Sequence, residues 1–155
     1  AGKVVKMTRE TVWLAIEKLA TARYWSDVAR QMESHVRSSG FSVVECFVGH
    51  GIGRTMHEAP QVPNYVYPEF LRFEDFQIKP GLVIAIWLMV NAGGKRGRQL
   101  NDYWTIVTTD GRLSAHEAHT VGILKTGPLV LTGPPQTEEE QKQVDQFFDR
   151  YENNK

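Results

Sequence analysis

Apolar positions near the start of the chain recur at helical spacing. Val5, Val12, Ile16 and Leu19 lie seven, four and three residues apart, which predicts a helix from Lys3 to about Ala20. Ala20 to Tyr24 reads as a connection. Val28, Ala29, Met32 and Val36 form a second stripe, with Ser26 as its expected N-cap, Asp27 in the first turn and Gly40 as a left-handed stop. The period then changes. Phe41–Val48 is rich in β-branched and aromatic residues and predicts a strand. Pro60, Pro63 and Pro68 forbid a regular helix and predict an extended crossing segment. Phe70 to Phe76 reads as loop, and Lys79-Pro80-Gly81 as a turn. Leu82–Val90 is almost wholly apolar, as in a strand buried on both faces. Gly93-Gly94 opens an expected mobile loop that carries Lys95, Arg96 and Arg98. Tyr103–Thr109 and Leu113–Leu124 read as strands joined at Asp110-Gly111, a hairpin signal, and Leu129–Thr132 adds a short strand. Gly133-Pro134-Pro135 breaks the sheet. Thr137 with Glu140 then forms a capping box for a last helix over 137–151, with Val144, Phe147, Phe148 and Tyr151 as its apolar face. Two helices followed by a mostly antiparallel sheet, plus a C-terminal helix, is an α+β pattern within one domain, 1–155.

Composition narrows this picture. The chain has 155 residues, enough for a sizeable core, and 18 basic residues balance 18 acidic ones. A zero net charge gives no overall pull toward nucleic acid or an anionic membrane. No apolar run reaches the roughly 18 residues of a spanning helix, and no leader peptide is visible. The single cysteine, Cys46, excludes an internal disulfide and reads as a small strand residue. The expected setting is cytoplasmic.

Candidate chemistry concentrates between Gly49 and Tyr65. The run reads Gly49-His50-Gly51-Ile52-Gly53-Arg54, then Thr55-Met56-His57-Glu58-Ala59-Pro60-Gln61-Val62-Pro63-Asn64-Tyr65. Glycines allow close backbone approach and fix the place of the imidazole between them. This pattern resembles the signature of type I methionine aminopeptidases, the pita-bread fold, and the resemblance extends from about Met7 to Thr132. It corresponds to the second half of that family's catalytic domain, a half pita-bread over 3–132 with the helical tail at 137–151. The resemblance implies that His50 is a metal ligand and that His57 contacts substrate. The family uses two divalent cations such as Co, Mn, Fe or Zn.

The same resemblance implies five ligands: two aspartates from the first half, then His, Glu and Glu from the second. Where the family has Thr-Ile-Glu-Pro-Met, this chain reads Ala85-Ile86-Trp87-Leu88-Met89, so Trp87 stands at a ligand position. Where the family has Ser-Ala-Gln-Phe-Glu-His-Thr, the chain reads Ser114-Ala115-His116-Glu117-Ala118-His119-Thr120, so Ala118 stands at the other. His50 alone is retained and reads as vestigial, as does His57. Strand alternation puts His116 on one face and Glu117 with His119 on the other. That second pair is a candidate for one adventitious metal ion.

Framework residues such as Gly49, Gly51, Pro60, Pro63, Asp110 and Gly111 follow the family while the chemical centre departs from it. The expectation is a catalytically inactive half domain that serves as a scaffold or binding module, with no cofactor and with a leaning toward an engineered origin. A homodimer is expected, with Trp25, Trp87, Leu88 and Trp104 as interface candidates; the alternative is a monomer in which Trp87 fills the vacated metal cavity. An alternative is a metallo-aminopeptidase fragment that removes N-terminal methionine together with a separate N-terminal half. Another is a pseudo-enzyme that binds the ribosome or a peptide, with Lys95, Arg96 and Arg98 as its basic loop.

Overall fold

The computed structural model describes residues 1–133 together with Glu138 and Lys142. The helix expected over 137–151 lies outside the described residues, apart from those two positions.

Helix α1 spans Gly2–Leu19 and buries Val4, Thr8, Thr11, Val12, Ala15, Ile16 and Leu19. Val5, assigned above to the buried stripe, faces outward at 47% exposure. Two threonines complete the stripe in its place. Their hydroxyls donate to the carbonyls of Val4 and Met7 at 2.8 Å, which lets each sit in the core satisfied. Helix α2 spans Trp25–Ser38. Its N-cap is Tyr24, not Ser26, and no side chain of its own caps it. The cap comes from a distant loop, where Asp75 Oδ1 accepts from Ser26 N and Phe76 N at 3.0 Å. Gly40 ends the helix as expected, at φ 78°, with Phe41 N donating to the Val36 carbonyl at 3.2 Å.

The strands are β1 (Ser42–Val43), β2 (Gly49–Gly51), β3 (Glu58–Val62), β4 (Val83–Asn91), β5 (Gly97–Gln99), β6 (Ile106–Thr108), β7 (Ser114–Leu124) and β8 (Gly127–Val130). The main sheet runs β3-β2-β4-β7-β8, with β1 also paired to β4, and every pairing is antiparallel. Strand β1 is much shorter than the expected Phe41–Val48, and the glycine-histidine motif itself continues the sheet as β2. The reason is steric. A Cβ on Gly49 would lie 2.1 Å from the Ala85 carbonyl oxygen, and one on Gly51 2.2 Å from that of Ala59. Only glycine lets these backbones come so close. Cys46 falls in the irregular link between β1 and β2 and is exposed.

Strand β4 is not buried on both faces. Ile84, Ile86, Leu88 and Val90 are fully buried on the side of the helices, while Val83, Ala85, Trp87 and Met89 alternate with them and are only half-buried. Helix α1 packs on both β4 and β7. Leu88 and Trp25, both expected at an interface, therefore belong to the chain's own core at 0% exposure. Trp25 stacks on Phe76 with ring centroids 6.0 Å apart, and its Nε1 donates to the Pro63 carbonyl at 2.7 Å.

Asp110-Gly111 makes a turn, but not the expected hairpin between long strands. Strand β6 pairs with β5 as a separate two-stranded ribbon, and β7 returns to the main sheet. Asp110 accepts from Gly94 N at 2.8 Å and from Arg112 N at 3.1 Å, so the loop expected to be mobile is laced at its base. Asp102 caps the tip by accepting from Trp104 N and Thr105 N at 3.0 and 2.9 Å. Among the described residues no helix is long and apolar enough to cross a membrane.

Replacing Trp25 with Phe keeps most of the packing but leaves the buried Pro63 carbonyl without its donor. Stability should fall by about 1–3 kcal/mol in a denaturant titration. An unchanged midpoint would show that this bond does not tie α2 to the proline segment.

Candidate functional site

Three sheet positions converge. His50 is the cross-strand partner of Ala85, Ala85 of Thr120, and Trp87 of Ala118. Cross-strand partners project from the same side of a sheet. His50, Trp87 and Ala118 therefore share one face, opposite the helices. The three positions that the resemblance made metal ligands do meet in space, but two of them carry no ligand atom.

His50 is half-buried, and its Nδ1 lies 2.9 Å from the Gly51 carbonyl oxygen. That contact fits a protonated Nδ1 and leaves Nε2 as the free nitrogen. His57 is exposed and comes to it across the loop, with ring centroids 4.2 Å apart. The loop between them is closed by Glu58. Its Oε1 accepts from Thr55 N at 2.7 Å, and the Thr55 hydroxyl bonds the His57 carbonyl at 3.1 Å. Glu58 thus shapes the loop that presents His57.

Trp87 is half-buried, with Phe47 tilted against it at 6.1 Å and His116 edge-on at 5.4 Å. The fully buried Asn64 donates from Nδ2 to the Trp87 carbonyl at 2.7 Å and fixes the backbone at this point. The indole stands opposite the small Ala118, so the pair places one large and one small side chain side by side.

Glu117 and His119 point the other way, under α1. Glu117 lies 3.6 Å from Arg9 and 3.8 Å from His119 Nε2, while His119 Nδ1 is 3.0 Å from the Thr132 hydroxyl and its ring packs on Trp13 at 5.4 Å. Both residues thus meet α1, Glu117 through Arg9 and His119 through Trp13. Trp104 is far more exposed than Trp87, at 87%, and sits with Tyr103 at the tip of the β5–β6 ribbon. Of the basic loop, Lys95 is paired with Glu45 at 2.7 Å.

A dinuclear centre does not fit these residues. Two neighbouring cations need several carboxylate oxygens between them. The face offers imidazoles, an indole and a methyl group. Among the described residues no group of three His, Cys, Asp or Glu is placed to hold an ion. His116, Phe47 and Asn64 carry much of the site's shape. Alternation puts His116 on the face away from Glu117 and His119, whereas the contacts of Phe47 and Asn64 with Trp87, 40 and 23 residues away, leave no local signal in the sequence.

Comparison with known proteins places this geometry. Residues 1–123 match the model of metallopeptidase family M24, and the chain belongs to that family. It is 44% identical over 132 residues to a methionine aminopeptidase of Clostridium perfringens, covering 85% of this chain and 51% of the relative. It is 38% identical over 130 residues to methionine aminopeptidase 1 of Bacillus subtilis, with 84% and 51% covered. The chain thus spans about half the length of the curated relatives it matches. The solved methionine aminopeptidase of Thermotoga maritima superposes with a TM-score of 0.78 at 37% identity, over 86% of this chain and 52% of that one. The prolidase of Pyrococcus furiosus, at 16% identity and a TM-score of 0.59, shares the fold alone. The chain is a partial, type I methionine-aminopeptidase-like pita-bread fold of α+β class, as the motif implied.

Partial burial holds His116 below the ordinary histidine value of 6.5, with nearby Glu117 acting in the opposite sense. The folded value lies below the unfolded one. As pH falls through 6.5 the unfolded chain therefore takes up the proton first, and stability declines until the folded ring is protonated too. His116 is largely exposed, so the decline should be small. The Trp87 ring meets this imidazole edge-on at 5.4 Å. In an imidazole NMR titration Trp87→Ala should move the His116 inflection up toward the ordinary value. An inflection that stays or falls would contradict burial by Trp87 as the cause.

Proposed function

We propose that this M24 chain is a catalytically inactive, methionine-aminopeptidase-like half domain that serves as a scaffold or binding module. The observation that carries this reading is the Trp87–Ala118 pair. By resemblance these two positions bear the glutamates that draw two cations together. Here they offer no oxygen, and no protein partner can return a carboxylate to a tryptophan or an alanine. Hydrolysis by a metal-held water needs an ion that polarises both water and carbonyl. His50 and His57 can still hydrogen-bond a peptide carbonyl or amine, so peptide binding without cleavage is the chemistry left to this face. The exposed Cys46, the single cysteine of the chain, suits a reducing, cytoplasmic setting.

A second reading is a metallo-aminopeptidase fragment that acts with the other half of the fold. The close His50–His57 pair and the identity to methionine aminopeptidases favour it. Its substrate would be an N-terminal methionine.

Incubation of the purified chain with a methionyl peptide and Co(II) or Mn(II) separates the two. The first reading expects no release of methionine above a metal-only control. Turnover that needs the metal and vanishes in His50→Ala would overturn it in favour of the second.

A further inference from the structure

We infer that the Glu45–Lys95 ion pair is a latch that holds the β5–β6 ribbon, a hinged arm, against the link between β1 and β2. This inference goes beyond the scaffold reading. It rests on contacts within the chain, so it holds or fails independently of catalysis and of what borders the main sheet.

The ribbon stands apart from the rest of the fold. Strands β5 and β6 pair with each other and with no strand of the main sheet. Among the described residues, none from Lys95 to Thr109 joins the hydrophobic core. The polar contacts of this stretch mostly close on the ribbon itself. Gln99 Nε2 donates to the Tyr103 carbonyl at 2.6 Å, Leu100 N to the Thr105 carbonyl at 2.8 Å and the Thr108 hydroxyl to the Arg112 carbonyl at 2.7 Å. One contact reaches out. Lys95 Nζ lies 2.7 Å from both carboxylate oxygens of Glu45, 50 residues away.

The legs of the ribbon supply the pivot. Gly94 N donates to Asp110 Oδ2 at 2.8 Å, which staples one leg to the other and makes the ribbon a single body. On the sheet side of the staple each leg has a glycine, Gly93 and Gly111, and small residues often absorb the backbone rotation of a hinge. Asn91 Nδ2 donates to the Gly94 carbonyl at 2.9 Å, but it does so close to the pivot, where it has little leverage on the tip. The far side of the latch is fixed. The Tyr65 hydroxyl donates to the Glu45 carbonyl at 3.1 Å, and Phe47, two residues on, lies against Trp87. The arm carries the exposed pair Tyr103 and Trp104 together with Arg96 and Arg98. The latch therefore sets where these four side chains are presented relative to Phe47 and Trp87. The Lys95 and Glu45 side chains are 52% and 28% exposed, so solvent screens the pair and its hold is modest. A modest hold lets the arm open at equilibrium.

Residual dipolar couplings, measured by NMR on the whole chain in a dilute alignment medium, test the latch. In the unaltered chain the ribbon amides should fit the alignment tensor of the main sheet. Lys95→Met keeps the apolar stem and removes the charge. It should lower the ratio of latched to free arm by about two- to fivefold, so that couplings over 97–108 shrink while those of β4 and β7 hold. Glu45→Gln should act the same way. Exchange of the two charges, Glu45→Lys with Lys95→Glu, should return the ribbon to the common tensor. The main-sheet couplings report in each variant that the fold is intact. Ribbon couplings already reduced in the unaltered chain would overturn the proposal, because nothing would then be latched. So would a Lys95→Met ribbon that keeps the tensor of the sheet, or single-variant effects that the exchanged pair does not reverse.

Discussion

The contact on which the rest depends is the approach of the Gly49–Gly51 backbone to strand β4. A single methyl at Gly49 would lie 2.1 Å from the Ala85 oxygen. That approach seats His50 beside Ala85 and fixes which side of the sheet it faces. The alternation of β4 does the rest: even-numbered side chains enter the core under the helices, and odd-numbered ones join His50. Trp25, donating to Pro63, holds the proline segment against α2. The adjacent Asn64 in turn holds the carbonyl of Trp87. Core and candidate site are thus two sides of one strand.

Trp87 and Ala118 face each other across the β4–β7 ladder. Two carboxylates at those places would be direct cross-strand neighbours, and like charges so placed oppose each other unless a cation lies between them. The framework around a metal pair is therefore stressed by its own ligands when the metal is absent. An indole beside a methyl carries no such conflict.

Much of this was legible in the sequence. Helical spacing found α1 and α2, the apolar run found β4, and one motif placed His50 and His57 together. The misreadings share a cause. A stripe of apolar residues alone puts Val5 in the core, whereas Thr8 and Thr11 bury their hydroxyls by bonding backward along the helix. Local sequence offers Ser26 as the cap, whereas Asp75, the residue that caps, lies 49 positions away. The glycine motif read as a loop because its strand character depends on a partner backbone. Trp25 and Leu88 read as interface residues because composition cannot tell which side of an element meets the core. Local pattern fixes periodicity, and long-range contacts decide what each face meets.

The central claim is that the converged positions no longer hold a pair of ions. Calorimetric titration of Mn(II) into the metal-free chain addresses it directly. The account predicts no stoichiometric binding of two ions per chain. Two ions bound per chain, with the binding lost in His50→Ala, would contradict it.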